Sequence, residues 1–481
     1  MASKTKTTEY INDPDKLAEG FLHGYIYDPT PEDKIELGKA HYTLQHYQGN
    51  FYLWDNGRYL KVSGSEIRLL VKRYLHDINL SPDVEPVKVT GYLIGNIVLC
   101  IAGMEGVHIP ETRQLNSWSD GREKLYQTIS FNNGLLLFGR RNEEPALQPH
   151  TPKYFTTVKL PYDYDPDAKY IEWEDFLLDV MDGDAERVTL LQQWAGYLLI
   201  NNLRQQKFLL VAGEGANGKN TFFELIELMI GRENCSHIPL AQFGKPFVLV
   251  TTIGKIANLS SESSSAIDAF GETVLKTYTA GDAMSFQRKY LDAIETIPTA
   301  KVMIATNQLP KFQDKTQGIW RRMLFVPFEK VYSEQEQNKS LSSELSRSLP
   351  GIFNWAMKGM GLLQEQGNFV NPTKCTNALE DYKRSVNPAR AFLQDNYEAN
   401  TTEEDVKGLP CENVYSTYVQ WCKVNGCKPL NSSNFGREVK RTLDVDKYRG
   451  GDREHRVQMY DMNIKIDAEI SNPNFWTEND D

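Results

Sequence analysis

The stretch KFLLVAGEGANGKNTFFELIELMIG at 207–231 constrains the fold more than any other part of this sequence. A short apolar run ends in glycine, which predicts a buried strand. TFFELIELMIG carries apolar residues on one helical face and closes on Gly231, which predicts an amphipathic helix. Between them, Gly213, Gly218 and Lys219 fit G-x-x-x-x-G-K, the spacing of a phosphate-binding loop. That spacing alone is weak, because glycine is common. The flanking strand and helix strengthen it, since backbone N–H groups and a helix N-terminus are what bind phosphates. The competing reading is a plain glycine turn between two core elements.

The candidate nucleotide loop is Gly213, Glu214, Gly215, Ala216, Asn217, Gly218, Lys219, Asn220 and Thr221. Lys219 would reach the β- and γ-phosphates of ATP. The pattern asks for Ser or Thr after the lysine, because that hydroxyl ligates Mg²⁺. Asn220 stands there instead, with Thr221 one place late. A carboxamide oxygen is a hard ligand, but uncharged and bulkier. On this reading ATP binding survives. Metal affinity changes or a water replaces the direct bond, and Thr221 points elsewhere.

Three more apolar runs read as buried strands: KIANLSSES at 255–263, AKVMIATN at 300–307 and RMLFVPF at 322–328. Parallel strands with helices between them predict a doubly wound α/β core. HYTLQHYQGNFYLWDNGRYLKV, from His41, alternates around QG and NG and predicts a hairpin. SEIRLLVKRYLHDI has helical spacing, and TISFNNGLLLFG at 128–139 predicts a second hairpin around Asn132, Asn133 and Gly134. LPYDYDPDA at 160–168 reads as a linker, and 173–200 as helical. Residues 1–40 are polar and expected to be partly loose. After Asn387 the pattern suggests helices and then a small wing of strands.

With 481 residues, the length suggests about three domains. A net charge of −11 argues against coating nucleic acid by global charge, but not against a local basic grip. The best apolar run, VTGYLIGNIVLCIAG at 89–103, is too short for a membrane span, and the N-terminus has no signal-peptide core. The six cysteines complete no zinc set, so reduced structural thiols and a cytoplasmic protein are expected.

Downstream of the loop lie polar residues at predicted strand ends. Glu262 closes one strand and could polarise an attacking water; Ser261 stands where a second acid is often found. Asn307 closes the next, where a γ-phosphate sensor would sit. Arg321 and Arg322 precede the last strand, and an arginine supplied across a subunit boundary stabilises transition-state charge. Between Glu262 and Asn307, Arg288, Lys289 and Tyr290 form the tip of a predicted hairpin, basic and aromatic as a strand-tracking loop requires. Taken singly, each has an ordinary reading: a surface Glu, a turn Asn, two surface arginines, an exposed hairpin.

In order and spacing, WAGYLLI, GEGANGKNTF, IANLSSE, TAGDAMSFQRKY, ATNQLPKFQDKTQGIWRRMLFVPF and SNFGREVKR resemble superfamily 3 helicases, in the branch of poxvirus-type and satellite-phage or plasmid primase-helicases. The resemblance is strong over 190–330 and looser outside it. It implies an AAA+-like P-loop ATPase core over 206–385. Before it come an α+β pre-helicase domain over 1–160 and a helical collar over 161–205; after it comes a winged-helix-like domain with an acidic tail over 386–481. It implies catalytic roles for Lys219, Glu262, Asn307 and Arg322, with Arg321 as the second choice of finger. Asn220 and Glu262 become the metal candidates, for the cofactors ATP and Mg²⁺. Lys289, with Arg288 and Tyr290, becomes the DNA contact.

The expectation is therefore an ATP-dependent, ring-forming replicative DNA helicase of a phage, plasmid or other mobile element. Its partners would be single-stranded or forked DNA, copies of itself in a hexameric ring, and a separate primase or polymerase, with no membrane. No primase-polymerase domain is found in the sequence. The rival is an initiator or scaffold that binds ATP and DNA but hydrolyses slowly. A small-molecule kinase fits less well, because no acceptor lid is evident.

Overall fold

The computed structural model describes residues 12–27, 40–81, 86–119, 127–139, 143–262, 267–312, 317–400, 408–450, 456–465, 467–468 and 470. Contacts divide the chain into two units: Met1–Pro310 with Thr316–Pro372, and Lys311–Lys315 with Thr373–Asp481.

The first unit opens with a helix, Pro14–Leu22, inside the segment expected to be loose. It buries Leu17, Phe21 and Leu22 against a core that includes Ile94, Ile97 and Ile101 of the helix Gly91–Gly103. The latter is the apolar run rejected as a membrane span. The expected first hairpin is a three-stranded meander, Leu44–Tyr47, Asn50–Asp55 and Arg58–Val62. Its turns are Gln48–Gly49 and Asn56–Gly57, with φ of 50°, 73°, 41° and 100°. Left-handed φ at both central residues suits a tight two-residue turn, so each turn signal joins one more strand. The second hairpin, Gln127–Ser130 with Leu135–Phe138, gains a third strand at Ala146–Gln148.

The helical stretch 173–200 divides into Ile171–Val180 and Ala185–Leu198. Asp182 and Gly183 between them sit at φ 54° and 76°, where a helix cannot continue. Arg187, 1% exposed, fixes this corner. Its guanidinium donates to Asp184 Oδ2 (2.9 Å), Met181 O (2.7 Å) and Pro327 O (2.9 Å). The second helix packs on Leu349–Gln366 so closely that a Cβ on Gly196 would lie 2.2 Å from Met360 N. The glycine of WAGYLLI therefore serves helix packing.

The core sheet has five parallel strands: β1 Phe208–Ala212, β2 Cys235–Ser236, β3 Ala257–Glu262, β4 Lys301–Thr306 and β5 Met323–Pro327. Their spatial order is β2-β3-β4-β1-β5. β4 and β5 are buried along their whole length, as a parallel sheet covered on both faces requires. The chain leaves β1 through the helix Lys219–Ile230 to the far edge, works back through β3 to β4, and then passes to the other side of β1. Before β4, Met284–Arg288 and Leu291–Thr296 form an antiparallel hairpin with a bulge between Phe286 and Arg288 and a two-residue tip, Lys289–Tyr290.

The second unit has the helices Thr373–Val386, Pro388–Asn396, Cys411–Val424 and Ser432–Leu443. The strands Leu409–Pro410, Val457–Tyr460 and Lys447–Gly450 form one small antiparallel sheet, and Tyr397–Ala399 pairs with Met462–Ile464. Phe435 stacks on Tyr418 with ring centroids 4.5 Å apart, inside its own aromatic core. The acidic tail lies outside the described residues. Among the described residues, no helix is long and apolar enough to cross a membrane. All six cysteines are free.

Candidate functional site

Strand register assembles the site. Ala212 of β1 stands level with Thr306 of β4, and Thr306 stands level with Glu262 of β3. The glycine loop, the end of β3 and Asn307 therefore share the carboxyl end of the sheet, where open α/β folds bind ligands. A cavity of about 490 Å³ opens there. Gly215–Thr221, Ser261 and Asn307 line it, together with Phe176, Asp179 and Val180 of the preceding helix and Tyr332 after β5. Both Asn220 and Thr221 line it. Glu262 ends β3, but its side chain lies outside the described residues.

The loop is tightly held. Gly213 N donates to Thr306 O (3.2 Å), and Phe328 N to Ala212 O (2.7 Å). A Cβ on Gly213 would lie 2.3 Å from Phe328 O, so only glycine fits. Gly215, Ala216 and Gly218 have φ of 124°, 46° and 81°. Gly218 caps the helix Lys219–Ile230 without any side-chain hydrogen bond of its own, and the first N–H, of Lys219, donates to Asn217 Oδ1 at 3.4 Å. Lys219 is buried, and its ammonium donates to Gly213 O (2.6 Å) and Asn217 Oδ1 (3.0 Å). Burial lowers its pKa, and among the described residues no carboxylate pairs with it. A buried cation at a helix N-terminus, with no carboxylate partner among the described residues, suits a polyphosphate.

Asn220, the metal candidate of the sequence, lines the cavity. Among the described residues no cluster of three acidic, His or Cys groups exists.

Three residues at the mouth carry no motif signal. Asp179 accepts from Lys330 Nζ and from Tyr332 OH, both at 2.6 Å. Those bonds, led by the lysine, hold its carboxyl below the usual range. Tyr332 N also donates to Ala216 O (2.8 Å), so the segment after β5 is tied to the loop. Only the fold brings these positions together; spacing in the sequence does not.

The other candidates lie at the amino ends of the strands. Arg321 and Arg322 precede β5, on the order of 15 Å from the loop at ~3.3 Å per residue. Arg321 is exposed, whereas Arg322 is 9% exposed and donates to Gly318 O (2.8 Å). At the hairpin tip Tyr290 is 90% exposed at φ 61°, and Lys289 Nζ lies 5.1 Å from its ring. Arg288 is a brace, donating to Asp292 O (2.7 Å) and to Gln48 O of the first meander (2.9 Å).

Two family models match this chain. One, described as a family of unknown function (DUF5906), covers residues 211–322; the other, described as D5 N terminal like, covers 126–182. The chain is 22% identical over 297 residues to a protein named "Putative helicase" of Acanthamoeba polyphaga mimivirus, covering 54% of this chain and 28% of that one. It is 23% identical over 335 residues to a "Putative helicase" of Invertebrate iridescent virus 3, covering 61% and 34%. A third "Putative helicase", of Invertebrate iridescent virus 6, is 23% identical over 353 residues, covering 64% and 35%. The chain thus spans about a third of the length of these curated relatives. Among solved structures, the apo C-terminal region (305–718) of NrS-1 matches with a TM-score of 0.54 at 14% identity, covering 94% of this chain and 99% of that one. Its A form matches at 0.50 and 13%, with the same coverage. That likeness is one of fold: a mixed α/β protein built on a parallel five-stranded sheet.

Proposed function

We propose that this chain is an ATP-driven DNA helicase that assembles head to tail into a ring and serves replication in a virus, phage or plasmid. What carries the reading is the strand register, which leaves the Lys219 loop, the Glu262 strand end and Asn307 around one cavity. Similarity to viral proteins named as helicases supports it. In this reading the N-terminus of the helix Lys219–Ile230 and the Lys219 ammonium hold the phosphates. Glu262 orients the attacking water and Asn307 contacts the γ-phosphate. Mg²⁺, bound through Asn220 or through a water on it, supplies further charge neutralisation.

The arginine of this reading is Arg321 rather than Arg322. Either lies too far from its own loop, so it acts on a neighbour, and Arg321 is the exposed one. A head-to-tail contact whose rotation closes meets that need, and a hexamer is the ring we favour. Lys289 and Tyr290 grip single-stranded DNA; Arg288 braces the hairpin. The same reading takes 206–385 as the ATPase domain, 1–160 and 161–205 as the pre-helicase domain and collar, and 386–481 as a winged-helix-like domain. It also takes priming from a separate polypeptide.

The test is steady-state ATP turnover with and without single-stranded DNA, in the parent, Lys219→Ala and Glu262→Gln. The parent should be stimulated by DNA. Lys219→Ala should be inactive yet folded, and Glu262→Gln should bind ATP but turn over about 10²–10⁴-fold more slowly. Parent-like turnover in Lys219→Ala sinks the reading. A second reading, a slow-hydrolysing initiator, is favoured by Asn220 and Ser261 lining the cavity where a hydroxyl and a second acid are expected. Slow turnover that DNA does not stimulate would select it.

A further inference from the structure

Asn217 is 2% exposed, yet every polar atom of its side chain is used. Oδ1 accepts from the Lys219 ammonium at 3.0 Å and from Lys219 N at 3.4 Å. Nδ2 donates to Phe328 O at 3.0 Å. The chemistry fixes the amide's orientation, because two donors face one end and a carbonyl faces the other. Phe328 belongs to the segment after β5, which also reaches the loop through Phe328 N to Ala212 O and Tyr332 N to Ala216 O. Asn217 is thus the side-chain link between that segment and the lysine.

We propose that Asn217 is a positioning residue: its neutral carboxamide holds the Lys219 ammonium ready for a polyphosphate and fastens the loop to the segment behind β5. The inference rests on the nucleotide reading above. Neutrality is the central point. A carboxylate at 217 would keep the ammonium as an ion pair and occupy it against an incoming phosphate. An aliphatic residue would leave Phe328 O without its donor and the lysine without its guide.

Two variants separate this role from simple bracing of the loop, using the full chain, a fluorescent ATP analogue, kcat and KM for ATP, and the melting temperature. Asn217→Ala should lower kcat at least tenfold and also lower the melting temperature. Asn217→Asp keeps the size and gains an ion pair with Lys219, but like Asn217→Ala it loses the Nδ2 donor to Phe328 O. It should melt no lower than Asn217→Ala, because the ion pair offsets part of that loss, yet bind the analogue at least tenfold more weakly than Asn217→Ala does. A mere brace predicts the opposite, with activity following stability in both variants. The proposal is overturned if Asn217→Asp binds nucleotide like the parent, or if losses track melting temperature throughout. Lys219→Ala is the control. If it abolishes binding while Asn217→Asp does not, only this inference fails. If it too binds like the parent, the nucleotide reading itself fails.

Discussion

At the carboxyl ends of β1, β3 and β4 the glycine loop is held by main-chain bonds to Thr306 and Phe328 and by the buried amide of Asn217. At the amino ends of β4 and β5, Arg321 is exposed and Tyr290 projects 90% exposed from a two-residue tip. One end is organised by its own chain, and the other leaves its charges and ring for something outside it. Chemistry on phosphates gains from donors fixed in advance. A grip that passes along a strand gains from reach. Both ends hold one non-glycine residue at left-handed φ, Ala216 in the loop and Tyr290 at the tip, but only Tyr290 is exposed nearly in full.

The largest effect should come from removing the exposed arginine. Arg321→Ala should slow ATP turnover by about 10³-fold or more, the range for an arginine supplied in trans. Mixing it with Lys219→Ala subunits should restore part of the activity, because some interfaces in a mixed ring keep both halves of the site. Mixed rings with no recovery would break the division of labour between the two ends.

Lys289→Ala should leave turnover without DNA close to that of the parent. Single-stranded DNA binding should weaken about tenfold, and the slope of log affinity against log salt should fall by about one phosphate contact per lysine engaged. Titrations of a labelled oligonucleotide at several salt concentrations measure both. If neither changes, the grip lies elsewhere, and Arg437, Lys440 and Arg441 of the second unit become the candidates.

Asn220→Ser sharpens the description of the phosphate end. Restoring a hydroxyl should lower the Mg²⁺ concentration for half-maximal turnover a few-fold. An unchanged requirement would mean that Asn220 is already an adequate ligand or does not meet the metal. At the tip the expected change in stability is small: Tyr290→Gly relieves the left-handed φ and should stabilise the protein by about 0.5–1 kcal/mol. It should weaken DNA binding nonetheless, since a lost stacking contact costs about 1–3 kcal/mol. Both shifts in one direction would remove the link between strain and grip.

Elements set by local chemistry were legible in the sequence. The four longer core strands, the helix after the loop and the Lys289–Tyr290 hairpin follow from apolar runs and glycine punctuation that act over a few residues. The two-residue β2 is too short to show a pattern. The third strand of the first sheet is signalled by Asn56–Gly57 yet reads locally as part of a single hairpin, and Ala146–Gln148 is too short to show a pattern. In the cavity the loop was legible, but Asp179 and Tyr332 were not, because parallel β5 brings them together from 153 residues apart. Exposure was also hidden. Nothing in RR tells which arginine is buried, and burial ranks Arg321 above Arg322. Arg288 reads as one more basic tip residue until Gln48 O, 240 residues away in sequence, is seen to accept from it.

Arg187 bears on where this chain can be cut. Its guanidinium spans Met181, Asp184 and Pro327, so the corner before the core is riveted to the end of β5 from within a buried site. A polypeptide shortened to begin at residue 206 would retain all five sheet strands and the whole glycine loop. It would lose the rivet, and with it Phe176, Asp179 and Val180, which wall the cavity. A piece that keeps every wall of the cavity and the Arg187 contacts is therefore longer than the sheet and its loop, and includes the helix Ile171–Val180.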